Sequence, residues 1–419
     1  MIFNAFTSRF VAVRNKILTS EDYDTNKIKT MYPTLYTQMY DAGMIVNDSV
    51  DEPSLLVVRI RTSEEASDEF ILHINPTLDC NFDCWYCYEN HVKGSKMSAD
   101  TLESTKKLID SIVGRPNIRS LNLGFFGGEP LYHFNSVAKP LITHAEGICA
   151  SYGKKLHVHF TSNGALLNDK IISFLSQVPC GFQITLDGDR TRHDRTRFFK
   201  DGKGSFDIIV QNILKLADVG INVIVRVNYT KENIDGVNDL YENFKGLTSD
   251  KRRYLSFDFQ RVWQDRNNRF DRTEVDIRSE REFFLKSGFA VRGSHIPNNV
   301  ANPCYGDKTN YALLNYDGLV FGCTARDFTK EHCIGRLNNS GEIVYDKEKV
   351  SLRNSSKLSK DVCRKCRIAP LCGGGCKQRA YESLGHEGCS LGHTETEKDD
   401  IILDILEHHL INAGKTSPL

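Results

Sequence analysis

Three cysteines lie within eight residues near position 80, in the stretch DCNFDCWYCYEN. Three residues separate Cys80 from Cys84, and two separate Cys84 from Cys87. Three thiolates can bind three irons of a [4Fe-4S] cluster and leave the fourth iron open to an exogenous ligand. The same spacing also suits a loop zinc site that takes a distant fourth ligand, or buried thiols without a metal. The triplet therefore predicts a metal centre but leaves the metal open.

A second group of cysteines occupies the C-terminal third of the chain. A Cys-x2-Cys pair at 363 and 366 with two later thiols has the pattern of a zinc ribbon, which would use only four of the seven cysteines. Cys149 and Cys180, on a predicted helix and before a predicted strand, are expected to be inert buried thiols. The seven cysteines of the second group are Cys304, Cys323, Cys363, Cys366, Cys372, Cys376 and Cys389.

The sequence around the first cysteines resembles the signature of the radical S-adenosylmethionine (SAM) superfamily. It has the spacing Cys-x3-Cys-x2-Cys and an aromatic residue, Tyr86, directly before the last cysteine. The resemblance implies that the amine and carboxylate of SAM chelate the open iron, and that one electron from the reduced cluster cleaves SAM to a 5′-deoxyadenosyl radical. The protein would position the cofactor and exclude water, while the cofactor supplies the difficult chemistry.

A GGEP motif and an SNG turn follow two of the predicted strands. GGEP is similar to the glycine-glycine-glutamate element of the same superfamily. By that resemblance Gly127 and Gly128 admit the backbone close to the SAM amine, and Glu129 accepts its hydrogen bonds. A simple turn would also explain Gly-Gly and Pro. Asn163, in the SNG turn, is a further candidate for SAM contact.

The run TLDGDRTRHDRTR (185–197) is similar to a motif of peptide-modifying members, with Thr in place of their usual Ser. The resemblance implies that Thr185 helps to hold the SAM carboxylate or ribose. It implies that Arg197 pairs with the SAM carboxylate in a charge-assisted contact. We expect Asp187, His193 and Asp194 to be structural.

The second group of cysteines resembles the SPASM extension of radical SAM enzymes that modify ribosomally made peptides and of anaerobic sulfatase maturases. The resemblance implies two auxiliary [4Fe-4S] clusters, and so three clusters in all. In sulfatase maturases a fourth ligand to the nearer auxiliary cluster lies six residues after the first cysteine, where this chain has Asn310. We expect that iron to be open, with Cys333 as the alternative ligand. The implied ligands are Cys363, Cys366, Cys372 and Cys389 for the cluster remote from SAM, and Cys304, Cys323 and Cys376 for the nearer one.

The overall composition is that of an ordinary globular protein. The 419 residues include 54 Lys plus Arg and 54 Asp plus Glu, so net charge gives no reason to expect a nucleic acid or an anionic membrane as partner. No stretch approaches the eighteen or so apolar residues of a membrane helix, and the N-terminus lacks the apolar run of a signal peptide. We therefore expect a cytoplasmic protein, whose thiols are kept reduced and available to metals.

Six apolar runs between residues 70 and 262 predict strands, with segments of helical periodicity between them. This alternation predicts an α/β fold with a parallel sheet, and six units would form a partial (β/α)6 barrel. Ligands of such sheets lie at the carboxyl ends of the strands, so all the motifs that follow these strands should share one rim. The predicted strands are 70–77, 121–126, 156–160, 181–186, 221–227 and 254–262.

The remaining segments predict smaller elements around the barrel. A short helix should run from Pro33 to a stop at Gly43, and a strand at 55–61 should pair with the first barrel strand. Thr394 and Glu397 have the spacing of a capping box before a terminal helix. The predicted divisions are an N-terminal α+β cap or leader-binding segment at 1–69, a barrel at 70–300 whose residues 264–284 form a helix-containing connection, a SPASM domain at 301–393, and a C-terminal helix and tail at 394–419.

The leading hypothesis is a maturase that abstracts hydrogen from a ribosomally synthesised precursor peptide to form a crosslink or another modification. A flavodoxin or ferredoxin would donate the electron, and an exposed strand edge in 1–69 would bind the leader peptide. No residue is assigned to catalysis on the peptide itself. The enzymatic alternative is formylglycine formation in a sulfatase client, disfavoured because Thr324, and not an aspartate, follows Cys323 and Asp327 comes later. The non-enzymatic alternative is an iron-sulfur or zinc binding or sensor module.

Overall fold

The computed structural model describes residues 1–13, 24–262, 264, 277–292 and 299–415. Its contacts divide the chain into two compact units. The barrel unit comprises Ser67–Gly293 and Thr309–Val350, and the terminal unit comprises Met1–Ala66, Ser294–Lys308 and Ser351–Leu419. No helix within the described residues is long and apolar enough to cross a membrane.

The described strands form one large sheet in the barrel unit and a two-stranded hairpin at the N-terminus. The strands are β1 (Ile2–Asn4), β2 (Arg9–Val11), β3 (Glu69–Ile74), β4 (Ser120–Phe125), β5 (Lys155–Ser162), β6 (Cys180–Thr185), β7 (Asn222–Tyr229), β8 (Leu255–Arg261), β9 (Ala290–Arg292), β10 (Tyr311–Leu314), β11 (Leu319–Phe321), β12 (Gly335–Leu337) and β13 (Ile343–Tyr345). The hairpin pairs β1 with β2, and the large sheet has the order β13-β12-β11-β10-β3-β4-β5-β6-β7-β8-β9.

Helices lie between the strands of the barrel unit and make up much of the terminal unit. They are α1 (Thr25–Met31), α2 (Pro33–Asp41), α3 (Glu52–Glu65), α4 (Ala99–Val113), α5 (Lys139–Ser151), α6 (Asp169–Leu175), α7 (Arg190–Thr196), α8 (Phe206–Asp218), α9 (Tyr241–Phe244), α10 (Ser249–Arg252), α11 (Arg278–Lys286), α12 (Lys347–Ser355), α13 (Asp361–Arg364), α14 (Ala369–Cys372), α15 (Lys377–Glu382) and α16 (Glu395–Lys415).

The six predicted barrel strands are confirmed as β3 to β8, and they run parallel to one another. Side chains alternate between the two faces of each strand. Leu72, Leu123 and Val158 form one buried apolar row across β3, β4 and β5, and they belong to the main core together with the helices. The next row of the opposite face contains His73 and His159. The sheet therefore has an apolar face covered by helices and a face that carries polar groups.

The predicted strand at 55–61 is wrong, because these residues lie within α3. The short apolar run LLVVRIR is ambiguous between strand and helix from its pattern alone. The Asp51 carboxylate caps the helix by accepting the Ser54 N–H, and Leu56 and Ile60, four residues apart, are buried on one side. The neighbour of β3 is instead β10, which pairs with it in parallel. Prediction missed β10 because its partner lies some 240 residues away in sequence.

The other predicted ends of helices agree with the structure. The helix α2 begins at Pro33, and Gly43 follows its end with φ of 71°. Thr394 and Glu397 form the capping box, since each side chain accepts the backbone N–H of the other residue. Of the predicted connection 264–284, residues 265–276 lie outside the described part, and α11 begins at Arg278.

A buried group of four charged side chains joins three segments of the terminal unit. Lys357 Nζ lies 3.0 Å from the Glu64 carboxylate and 3.3 Å from that of Asp307. Lys377 Nζ lies 2.9 Å from Glu64, and the Lys377 backbone N–H donates to Asp307. Two ammonium groups and two carboxylates thus compensate one another away from water, a condition that buried charges require.

Candidate active site

The three cysteines of the triplet lie on a loop between β3 and α4 whose two ends are tied together. The Thr77 hydroxyl donates to the Ser95 carbonyl oxygen at 2.6 Å, and the Leu78 N–H donates to the Ser95 hydroxyl at 2.8 Å. The Asp79 carboxylate accepts the N–H groups of Cys80 and Gly94. These bonds fix the ends of the loop and so hold the cysteines at the carboxyl end of β3.

The thiols of the triplet are all free and lie in progressively more open surroundings. Cys80 is buried, Cys84 is half-buried and Cys87 is exposed. Burial raises the pKa of the Cys80 thiol to about 12, with the nearby Glu129 carboxylate as a further cause. Burial also raises the pKa of Cys87 to about 12. These thiols are therefore protonated at neutral pH until a cation binds, so metal loading must release protons.

Glu129 of the GGEP motif is fully buried and bonded within the protein. Its Oε1 accepts the Leu131 N–H and the Ser162 hydroxyl, and its Oε2 accepts the Asn163 N–H at 2.8 Å. Burial raises the pKa of the carboxyl, which these hydrogen bonds oppose. Glu129 thus joins the loops that follow β4 and β5.

The glycines of the GGEP motif fit closely against the cysteine loop. Gly128 has φ of 53°, and a Cβ added there would lie 2.3 Å from the carbonyl oxygen of Asp79. The next N–H, that of Glu129, donates to the same oxygen at 2.9 Å. A side chain at 128 would therefore separate the two loops, and this gives glycine a structural reason in addition to the predicted SAM contact.

Glu89 is a site residue that the sequence analysis missed. It is half-buried, and its Oε2 accepts the Gly128 N–H at 2.7 Å. Burial raises the pKa of Glu89 to about 7, and the neighbouring Glu129 carboxylate raises it further. Its position two residues after Cys87 was the signal that could have drawn attention to it.

The Tyr86 hydroxyl connects the cysteine loop to the ends of two other strands. It donates to the Asp187 carboxylate and accepts from Arg197 Nη1 at 2.7 Å and from Asn228 Nδ2 at 3.2 Å. The Asn228 N–H also donates to Asp187. Asn228, near the end of β7, was missed, although the rule that ligands gather at strand ends pointed to this position.

The loop after β6 contains an internal chain of hydrogen bonds. His193 Nδ1 accepts the Asp187 N–H, so its Nε2 is the donor to the Ser205 hydroxyl, which donates to the Arg197 carbonyl oxygen. Asp194 accepts the Ser205 N–H at 2.8 Å. Both ring nitrogens of His193 and an oxygen of Asp194 are thus used within the protein, as expected of structural residues. Thr185, the last residue of β6, is 9% exposed.

Several buried polar atoms at this rim have no hydrogen-bond partner among the described residues. They include Asn75 Oδ1, Asn81 Nδ2 and Arg197 Nε. A buried polar group without a partner costs roughly 1–3 kcal/mol, which a polar ligand would recover. Asn163 Nδ2, in turn, donates to Asn81 Oδ1 at 2.7 Å. Three free thiols beside unsatisfied polar atoms fit a cluster held by three cysteines together with a polar ligand such as SAM.

Four of the C-terminal cysteines line one pocket within the terminal unit. Cys363 and Cys372 are buried, and Lys398, 8% exposed at its side chain, also lines the pocket. The Gly374 backbone has φ of 79°, and a Cβ there would lie 2.9 Å from the Leu358 nitrogen, so this turn needs glycine. Four thiols beside an ammonium fit the predicted remote cluster, which carries negative charge. The pocket's cysteines are Cys363, Cys366, Cys372 and Cys389.

These thiols do not converge as the ligands of one ion would. Within the described residues, no three His, Cys, Asp or Glu side chains gather around a single metal position. In a zinc site all four ligands lie about 2.0–2.3 Å from one ion. A cubane cluster spaces its thiolates more widely, because each binds a different iron.

The predicted ligands of the nearer auxiliary cluster are divided between the two units. Cys304 and Cys376 belong to the terminal unit and Cys323 to the barrel unit, so this ligand set stays a prediction. Cys333 Sγ lies 3.0 Å from the Gly335 carbonyl oxygen. The Asn310 side chain donates to the Ser67 carbonyl oxygen at 2.6 Å. Asn310 therefore fastens the start of β10 to the segment before β3.

Comparisons of the sequence with known proteins agree with this geometry. Residues 74–244 match the model of the radical SAM superfamily. The radical SAM cyclopropyl synthase TigE of Paramaledivibacter caminithermalis is 23% identical over 391 residues, 84% of this chain and 78% of that protein. A cysteine-type anaerobic sulfatase-maturating enzyme of Clostridium novyi is 24% identical over 72% of this chain and 85% of its own length. A match at 29% identity to an uncharacterised protein of Synechocystis sp. covers only 42% of this chain and 44% of that protein.

Two solved structures share the fold. Native anSMEcpe with bound AdoMet and Cp18Cys peptide superposes with a TM-score of 0.59 and 18% identity, over 83% of this chain and 99% of that one. Streptococcus suis SuiB bound to the precursor peptide SuiA gives a TM-score of 0.51 and 15% identity, over 89% and 81% of the two chains. At these identities the structures establish the α/β partial-barrel fold alone. The motif match, the cysteine triplet and the fold together show that this chain belongs to the radical SAM superfamily, with residues 74–244 as its radical SAM domain.

Proposed function

We propose that the chain is a radical SAM maturase that abstracts hydrogen from a carbon of a ribosomally synthesised peptide, as the first step toward a crosslink or a related modification. The observation that carries this proposal is the cysteine triplet on the rim of a sheet whose opposite face is polar. When bound, SAM and the reduced cluster supply a 5′-deoxyadenosyl radical. The proposal is supported by the likeness to TigE, a cyclopropyl synthase, and to SuiB, which was solved with its precursor peptide.

The residues of the rim would hold SAM and exclude water from it. Arg197, whose Nε is unsatisfied, would pair with the SAM carboxylate while Tyr86 and Asp187 fix the position of its guanidinium. Cys80, Cys84 and Cys87 would bind the cluster. The aromatic rings of Phe82 and Tyr86 lie against that guanidinium, at 5.8 and 6.0 Å from their centroids, and shield it from solvent.

The polar side of the sheet would receive the peptide. Polar side chains on β7 and β8 lie on this side, where Arg226 Nε donates to Asn228 and Gln260 donates to Asp258. Exposed polar groups of this kind can bind the backbone of an extended peptide. They are also positioned at the same strands that carry the SAM-binding rim.

Leader-peptide recognition in residues 1–66 would use the hairpin of β1 and β2. The strand once expected at 55–61 is helical, so it offers no edge. Within the described residues neither β1 nor β2 has a second strand neighbour, so each presents backbone groups to which a peptide strand could be added.

Sulfatase maturation is the second candidate, and the position of Asp327 favours it. Asp327 Oδ1 lies 2.6 Å from His332 Nδ1, and its Oδ2 accepts from Asn90 on the cysteine loop. The carboxylate that seemed too far from Cys323 in sequence thus lies at the edge of the radical site. A Cys- or Ser-containing sulfatase peptide would then lose hydrogen to give formylglycine, with Asp327 as the base.

The test uses the full chain, purified and reconstituted without oxygen. We expect about twelve irons with matching sulfide, as three clusters of four require, and release of 5′-deoxyadenosine with a reduced flavodoxin or ferredoxin. A peptide encoded beside the gene should lose two hydrogen atoms by mass spectrometry. Conversion of a sulfatase peptide to formylglycine, with no change in the neighbouring peptide, would favour the second candidate. Zinc without sulfide, and no 5′-deoxyadenosine, would contradict both.

A further inference from the structure

The GGEP motif leads one to expect that Glu129 binds the SAM amine, but the contacts of Glu129 leave it little capacity to do so. One carboxylate oxygen already accepts two hydrogen bonds, from Leu131 and Ser162, and the other accepts the Asn163 N–H. The residue is 0% exposed. A group that receives a ligand from solvent must be reachable from solvent, so Glu129 would have to give up internal hydrogen bonds and move.

Glu89 meets the requirements that Glu129 does not. It is half-buried, so solvent reaches part of the side chain, and only its Oε2 is engaged, by the Gly128 N–H at 2.7 Å. Its Oε1 has no hydrogen-bond partner among the described residues, and no Lys, Arg or His there forms an ion pair with it. A partly buried carboxylate without a cation is costly, and an ammonium group would compensate its charge.

The location of Glu89 also suits a contact with SAM. Glu89 follows Cys87 by two residues and binds the backbone of the motif that the superfamily places around the SAM amine. It therefore lies between the last predicted cluster ligand and the Gly127–Gly128 turn. An ammonium at this point could bind Oε1 while Oε2 keeps its bond to Gly128.

We propose that Glu89, and not Glu129, is the carboxylate that accepts hydrogen bonds from the α-ammonium group of SAM. Glu129 then has a different task, which is to join the loops after β4 and β5 and so to position the Gly-Gly turn. This inference rests on the assignment of the chain as a SAM-binding enzyme, but not on which peptide it modifies.

The test compares two ligands on three variants of the reconstituted full chain. The ligands are SAM and its deamino analogue, in which hydrogen replaces the α-amino group. The variants are Glu89→Gln, which keeps an oxygen for the Gly128 N–H, Glu129→Gln, and the exposed helix control Glu103→Gln. Dissociation constants are measured by anaerobic equilibrium dialysis, and iron content and thermal unfolding check that each variant is folded.

We expect Glu89→Gln to weaken SAM binding about tenfold, because a charge-assisted bond becomes a neutral one, and to leave binding of the deamino analogue unchanged. Glu129→Gln should lower iron content and thermal stability, and should weaken both ligands alike. Glu103→Gln should match the parent. The proposal fails if Glu89→Gln binds SAM as the parent does, or if it loses SAM and the analogue equally.

This result can be separated from the proposed function. Release of 5′-deoxyadenosine and modification of a peptide by the parent protein test the function, whereas the difference between the two ligands tests Glu89 by binding alone. If SAM binds and the Glu89 difference is found but no peptide is modified, only the function fails. If a peptide is modified but the difference is absent, only the Glu89 inference fails.

Discussion

In the barrel unit three cysteines come from a single loop, surrounded by polar atoms that lack partners, whereas in the terminal unit four cysteines line an apolar pocket beside one lysine. The first site is built from strand ends and remains open on the side of Cys87. The second is built from the short helices α13 and α14 and the glycine turn after them. The difference is that between a site that must admit a ligand and one that must only hold its cluster.

The largest effect should come from removing the open site. The triple change of Cys80, Cys84 and Cys87 to Ala should abolish 5′-deoxyadenosine release and leave about eight irons, because the other predicted ligands are untouched. Cys149→Ala, a buried thiol on α5, is the matched control and should keep both activity and iron. Undiminished release from the triple variant would remove the basis of the comparison.

Removing the closed site should affect iron but not SAM cleavage. Replacement of Cys363, Cys366, Cys372 and Cys389 by Ala should lower the iron content from about twelve to about eight, while 5′-deoxyadenosine release stays close to that of the parent. The measurement is iron and sulfide per chain beside the rate of release. If SAM cleavage disappears as well, the two sites do not function separately.

Within the open site, Arg197 should matter for affinity. Arg197→Ala should weaken SAM binding by about 2 kcal/mol, or roughly thirtyfold, through loss of a charge-assisted contact. Tyr86→Phe, which removes only the hydroxyl that orients the guanidinium, should weaken binding less. Dissociation constants measured by equilibrium dialysis decide the matter. Parent-like affinity of Arg197→Ala would show that the carboxylate is bound elsewhere.

The terminal unit should depend on its buried charges for stability. Lys357→Met leaves Glu64 and Asp307 with a single ammonium and should lower the free energy of unfolding by about 3 kcal/mol. Lys106→Met breaks only the exposed pair with Glu103 and should cost at most about 1 kcal/mol. Denaturant titration measures both. Equal small costs would mean that the buried group contributes little.

The smallest effect concerns acid stability of the barrel unit. Burial, together with the charge of Arg292, lowers the pKa of His159 from 6.5 to about 4. The folded state therefore binds fewer protons than the unfolded chain, and the stability due to neutral His159 is present above pH 6.5 and is lost as the pH falls through about 4. His159→Gln should reduce this loss by of order 2 kcal/mol, while exposed His157→Gln should not. An unchanged pH profile of denaturant unfolding in His159→Gln would contradict the assignment.

Local patterns in the sequence determined much of this protein. The alternation of apolar runs and helical segments gave all six central strands, the capping box at Thr394 was correct, and the cysteine spacing identified the superfamily before any coordinates. These features depend on residues close together in the chain, so their physical causes can be seen in a short window.

What only the tertiary structure decided depends on contacts between distant residues. The run at 55–61 became a helix because Leu56 and Ile60 pack against the core of the terminal unit. The partner of β3 is β10, which no local pattern could reveal. Above all, the carboxylate named by the motif is consumed by Leu131, Ser162 and Asn163, while Glu89 keeps an oxygen free. The hydrogen bonds of a buried group are settled by the neighbours that folding brings to it, and a motif read along the chain does not contain them.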